Sequence, residues 1–242
     1  MDMKKLVVIT GASSGFGLAL AKRFANAGYP LLLLARRLDK MTALELPNTL
    51  CRQVDVTDKP AFATAVAEAE SVYGPTDLLI NNAGVMLLGS IENQDPLEWQ
   101  KMLDVNVMGV LNGMQIVMNS MKQRQTGTII NVSSIAGKQP FATHAAYCAS
   151  KYGVTGLTAV ARAELSASNV RVLSICPGAV STELLGHTSD PAIIEGYQQW
   201  KQSVGAIHIT ADDIAQTIQF SYELPQAVSL REIIITDTKQ DA

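Results

Sequence analysis

Tyr147 and Lys151 stand four residues apart in the stretch AAYCASKYGV (145–154), among side chains that are nearly all small. On a helix, that spacing puts a phenol and an ammonium on one face, where the two can act as a unit. A phenol with a pKa of about 10 is a poor base at neutral pH. A nearby ammonium favours the phenolate, so such a pair could pass a proton to or from a reacting oxygen. Read alone, the pair fits a surface contact better. Tyr152 is a decoy, because its i+4 neighbour is Gly156 and not a base. What surrounds the pair must decide.

The chain has 242 residues, 48% of them hydrophobic and 17% charged, enough for a sizeable core and too apolar for disorder. A net charge of −3 gives no reason to expect nucleic acid or an anionic membrane as partner. The longest apolar runs, such as Leu31–Ala35, are strand-length and far short of a membrane span. The opening residues enter a strand at once, leaving no room for a signal peptide. Cys51, Cys148 and Cys176 show no C-x-x-C spacing, which fits buried thiols in a reduced cytoplasm. Cys148 reads as packing. His144, His187 and His208 lie on scattered segments without metal-ligand spacing, so no metal is expected.

Strands are predicted at 5–10, 31–35, 50–54, 77–81, 127–132, 170–176 and 231–236. Several are apolar on both faces, as in a parallel sheet covered on both sides. Helices are predicted at 16–27, 60–72, 96–123, 145–167 and 211–222. This pattern predicts a single α/β domain over 1–242, a doubly wound parallel seven-stranded sheet with helices on both faces. The stretch 178–205 reads as irregular and too long for an ordinary connection, so a substrate loop is expected at about 179–205.

The turn TGASSGFG (10–17) follows the first strand and opens the first helix. Gly11, Gly15 and Gly17, with Ser13, Ser14 and Phe16 between them, permit a tight turn and close approach to a pyrophosphate at the helix N-terminus. The spacing is G-x-x-x-G-x-G rather than G-x-G-x-x-G. The second strand ends in LLLLARR, so Arg36 and Arg37 stand where an NAD site usually has a carboxylate. Two guanidiniums there point to the 2′-phosphate of NADP(H), although solvated arginines at a strand end remain open. Asp55 and Val56 close the third strand and could meet an adenine, and Asn82, Ala83 and Gly84 end the fourth. Each of these also fits an ordinary cap or turn.

With TGASSGFG, NNAG (81–84), Asn106 in LDVNVMG, INVSSIAG (130–137), Tyr147-x-x-x-Lys151 and CPGAVSTEL (176–184), the chain resembles the short-chain dehydrogenase/reductase family. The match covers nearly the whole chain. It implies a Rossmann-type fold and a tetrad of Asn106, Ser134, Tyr147 and Lys151, with Ser133 a structural neighbour. Ser134 would hydrogen-bond the carbonyl oxygen, Tyr147 would supply the proton, and Lys151 would tune Tyr147 and hold the nicotinamide ribose. Asn106 would hold a water linking Lys151 to solvent. Pro177, Gly178, Val180 and Thr182 would line the nicotinamide. The double arginine and the ending REIIITDTKQ resemble an NADP-preferring branch of 3-hydroxy acid dehydrogenases and broad carbonyl reductases. A homo-oligomer, dimer or tetramer, in the cytoplasm is implied as well. Phe16 where isoleucine is commoner, and Asn169 where glycine is frequent, are small departures.

The expected activity is hydride transfer between NADP(H) and a small carbonyl or alcohol. Candidate walls of the substrate pocket are Val85, Met86, Phe141, His144, Leu184, Leu185 and Trp200, beside Ser134 and Tyr147. They are mostly apolar, and the loop adds Glu183, Asp190 and Glu195 against Lys201. An acidic substrate would want a cation, and only Lys138, Lys201 or a protonated His144 offers one. Neutral aldehydes or ketones are therefore expected, with a 3-hydroxy acid, or cofactor sensing without turnover, as the alternatives.

Overall fold

Runs of branched and aliphatic side chains become the strands β1 (Leu6–Thr10), β2 (Leu31–Ala35), β3 (Thr49–Gln53), β4 (Thr76–Asn81), β5 (Gly127–Val132), β6 (Val170–Pro177) and β7 (Glu232–Ile235). The computed structural model describes residues 4–180, 182–203 and 208–240. All seven strands pair in parallel in the order β3-β2-β1-β4-β5-β6-β7. Every residue of β1, β2, β4, β5 and β6 is buried, which is why their sequences are apolar without a break. At the edges, β3 and β7 keep partly exposed residues.

The helices are α1 (Gly15–Asn26), α2 (Leu38–Thr42), α3 (Lys59–Tyr73), α4 (Pro96–Leu103), α5 (Gly109–Arg124), α6 (Ala145–Leu165), α7 (Pro191–Ser203) and α8 (Ala211–Glu223). Val7 and Ile9 face a cluster containing Leu20, Phe24, Ile214 and Ile218, from α1 and α8. Leu6 and Val8 face the opposite cluster, with Phe62, Val66, Met114 and Val154, from α3, α5 and α6. The two-residue period of the strand thus feeds both layers.

Three elements differ from the sequence reading. The helix expected over 96–123 is interrupted by a π turn, Asp104–Met108, in which the Gly109 amide reaches back five residues to the Asp104 carbonyl. Its cause is polar: Asn106, inside the turn, is buried and bonded to Val85. The stretch 178–205 is not irregular throughout, since it holds a 3-10 turn, Glu183–His187, and the helix α7. Ser181, Val204 and Gly205 of that expected loop lie outside the described residues. The short helix α2 follows β2 and was not expected.

Strand order reverses direction of growth between β1 and β4, which opens a crevice at their carboxyl ends. Among the described residues, no helix is long and apolar enough to cross a membrane.

Candidate active site

The crevice is fixed by Thr10 at the end of β1. Its hydroxyl accepts from the Asn82 and Ala83 amides, both at 3.0 Å, and so ties the turn after β1 to the segment after β4. Asn82 Nδ2 donates back to the Thr10 carbonyl at 2.9 Å. Gly11 holds φ at +66°, and a Cβ there would come within 2.8 Å of Ala83 Cα, so both backbone freedom and space require glycine. Gly17 is buried behind the turn, where a Cβ would collide with the Gly11 carbonyl; its role is close packing of helix on strand.

The N-terminus of α1 differs from those of its neighbours. Asp58, Asp95 and Thr210 cap α3, α4 and α8 with side-chain bonds. Ser14 makes no such bond on α1, and no acidic residue lies in that first turn. Its amides are therefore left for an anion. They open onto a cavity of about 480 Å³ lined by Gly11, Ser13, Ser14, Gly15, Phe16, Arg36, Arg37, Asp55, Val56, Asn82, Ala83, Gly84, Tyr147, Lys151 and Thr182. The glycine turn, the uncapped amides and the two guanidiniums fit a phosphorylated dinucleotide. Asp55 Oδ1 is engaged by the Thr57 amide and hydroxyl, at 3.0 and 2.8 Å.

Tyr147 and Lys151 are both buried on the first turns of α6. A polar chain through the core anchors that helix: Asn81 Nδ2 donates to Asn131 Oδ1 at 2.8 Å, and Asn131 Nδ2 donates to Thr158 Oγ1 at 2.9 Å. Lys151 Nζ donates to the Val132 carbonyl at 2.9 Å and lies 5.8 Å from the centre of the Tyr147 ring. Burial pushes the Lys151 ammonium down from 10.5 to about 8. Burial pushes the Tyr147 phenol up, and the Ser134 hydroxyl opposes that shift.

Ser133 and Ser134 have different partners. Ser133 Oγ donates to the Lys151 carbonyl at 3.1 Å and holds β5 to α6. Ser134 Oγ accepts from the Ala136 amide at 3.1 Å, which leaves its own proton to donate. Asn106 Nδ2 donates to the Val85 carbonyl and to Ser150 Oγ, and its Oδ1 accepts from the Val85 amide, so both of its amide protons are taken by the protein.

A second cavity, of about 780 Å³, adjoins the first through Tyr147, Phe16, Thr182 and Leu184. Pro177, Gly178 and Val180 line it, as do Ser134, Met86, Phe141, His144, Leu184, Leu185 and Trp200. Of the expected walls only Val85 faces the first cavity instead. Burial pushes the His144 imidazole down, toward its neutral form. Phe141, His144, Tyr197 and Trp200 form a closed circuit of rings, with neighbouring centroids 5.4 to 5.8 Å apart. Tyr197 was missed in the sequence, although Ile193, Tyr197 and Trp200 carry helical spacing. Gln240 was missed too. Its Oε1 accepts from the Ala179 amide at 3.0 Å and braces the Gly178 turn. Lys201 lines the cavity, whereas Lys138 is paired with Glu232 outside it.

The profile of the short chain dehydrogenases matches residues 5–192. An uncharacterized oxidoreductase of Staphylococcus saprophyticus is 36% identical, over 98% of this chain and 97% of the relative. Sulfoacetaldehyde reductase 2 of Chromohalobacter salexigens is 32% identical over 98% of this chain and 96% of the relative. Among solved structures, the closed form of a serine dehydrogenase complexed with NADP+ superposes with a TM-score of 0.90 at 27% identity, covering 98% of this chain and 96% of that one. The chain belongs to the short chain dehydrogenase family, oxidoreductases that use nicotinamide cofactors.

Proposed function

We propose that the protein is an NADP(H)-dependent oxidoreductase that interconverts a small neutral aldehyde or ketone and its alcohol. One observation carries this reading: Tyr147, backed by Lys151, lines both the cavity at the glycine turn and the cavity walled by aromatic rings. A proton-transfer group at the junction of the two is where a reacting oxygen would need it.

The residues divide the work as follows. Gly11, Gly15 and the uncapped turn of α1 would hold the pyrophosphate, Arg36 and Arg37 the 2′-phosphate, and Pro177, Gly178, Val180 and Thr182 the nicotinamide end. When bound, the nicotinamide supplies or takes the hydride. Ser134 would turn its proton to the substrate oxygen, and Tyr147 would pass a proton to that oxygen or take it back. Lys151, charged at neutral pH and 5.8 Å from the centre of the Tyr147 ring, would favour the phenolate when Tyr147 gives up its proton. Asn106 acts as a positioning residue through Val85 and Ser150 rather than on a substrate.

A second reading has a specific basis. Lys201 in the cavity wall could meet an anionic substrate, and a relative is named for sulfoacetaldehyde. NADPH oxidation should therefore be followed with neutral aldehydes, ketones, 3-oxo acids and sulfoacetaldehyde, with Tyr147→Phe beside the wild type. Turnover that persists in Tyr147→Phe would overturn the mechanism. NADPH binding without turnover on any of these would favour a sensor instead.

A further inference from the structure

Arg37, expected to receive the 2′-phosphate, already holds an anion supplied by the protein. Its Nε and Nη2 each donate to Ser13 Oγ at 3.2 Å, while Nη1 donates to Glu183 Oε2 at 3.0 Å. Lys40, on α2, stands 3.7 Å from the other carboxylate oxygen. These two cations hold the Glu183 carboxyl below the usual carboxylate range. One side chain thus bridges Arg37 and Lys40 beside the glycine turn, where a phosphate on the adenosine ribose would have to sit.

Glu183 comes from a distant part of the chain. It opens the 3-10 turn Glu183–His187, which Thr182 caps, and the same turn brings Leu184 and Leu185 to the substrate cavity. The side chains of Arg37 and Glu183 are 43% and 59% exposed, so their ion pair is of the weak, water-screened kind. A phosphate carrying up to two charges is a stronger partner for a guanidinium than one carboxylate. Both anions on one guanidinium would repel each other.

We propose that Glu183 is a specificity-determining residue that competes with the cofactor's 2′-phosphate for Arg37 and Lys40. NADP(H) displaces the carboxylate and frees the turn at the mouth of the substrate cavity; NAD(H), lacking the phosphate, leaves the ion pair standing. The wild-type preference for NADP(H) is accordingly smaller than Arg36 and Arg37 could provide. This rests on the NADP(H) reading above.

The test is the dissociation constant of NADPH and of NADH, by fluorescence titration, for wild type, Glu183→Gln, Arg37→Ala and the double variant. Glu183→Gln should bind NADPH about three- to tenfold more tightly and leave NADH within about twofold. In the Arg37→Ala background that gain should vanish. Equal changes for both dinucleotides, or none, would overturn the role of Glu183 alone. A wild type that binds NADH as tightly as NADPH, with Glu183→Gln no different, would instead overturn the NADP(H) reading.

Discussion

Asn106 and Val85 exchange two hydrogen bonds: Oδ1 accepts from the Val85 amide at 2.8 Å, and Nδ2 donates to the Val85 carbonyl at 2.9 Å. Nδ2 also donates to Ser150 Oγ at 3.0 Å, and Ser150 Oγ in turn donates to the Tyr147 carbonyl at 2.7 Å. One buried amide therefore joins the segment after β4, the π turn and the helix that carries Tyr147.

Replacing Asn106 with alanine would leave the Val85 amide and carbonyl buried without partners. Stability should fall by about 2–4 kcal/mol, since each unsatisfied buried group costs about 1–3 kcal/mol. Turnover should fall about a hundredfold while the dissociation constant for NADPH moves far less. Urea melts and steady-state kinetics on the same preparation check both. A variant as stable as the wild type but inactive would contradict the positioning role.

Lys151 gives a prediction of opposite sign for stability. Its ammonium is pushed down by burial to about 8 from 10.5, so between those values the unfolded chain binds more protons than the folded one. Stability contributed by this group therefore rises with pH across that window, and below it the buried charge is a penalty. Lys151→Met should melt higher than wild type near neutral pH, by about 1–2 kcal/mol, while losing nearly all activity. The advantage should shrink as the pH is raised toward about 10. Melts at neutral and alkaline pH decide, and an advantage that does not change with pH would refute burial of the charge as its cause.

Periodicity revealed the sheet because each of its five inner strands is buried on both faces, which leaves a continuous apolar run such as LLLLA. The spacing of Tyr147 and Lys151 was visible in the sequence, but it did not separate a proton-transfer pair from a surface contact, and Ser134 joined them only through the family resemblance. Partners set by tertiary contact were not visible there. The π turn arises from a bond between Asn106 and Val85, twenty-one positions apart. Gln240 meets Ala179 across sixty-one positions, and no local pattern announces it. Helix α7 was not read from the sequence, because the surrounding Gly, Pro and Thr obscured the helical spacing of Ile193, Tyr197 and Trp200.

The aromatic circuit predicts a separation of substrate from cofactor effects. Trp200 packs on Phe141 and Tyr197 at 5.7 and 5.4 Å between ring centres, and it does not line the cavity at the glycine turn. Trp200→Ala should raise KM for the preferred carbonyl about tenfold, with NADPH affinity unchanged, because it removes apolar wall rather than proton-transfer groups. A drop in kcat with KM constant would place Trp200 among the groups that act only in the transition state.

Helix α6 also predicts self-association. Tyr152 and Val160, at 46% and 57% exposure, lie on either side of Gly156, whose missing side chain faces open space. Residues four apart on a helix share a face, so these form a flat apolar stripe. A second copy docking on this stripe would cover side chains that a monomer leaves in water. Sedimentation at micromolar concentration should give a dimer or larger. Gly156→Leu fills space that is empty within one chain, so it should leave the fold and its melt intact while shifting the distribution toward monomer. A Gly156→Leu variant that sediments like the wild type would show that copies meet elsewhere or not at all.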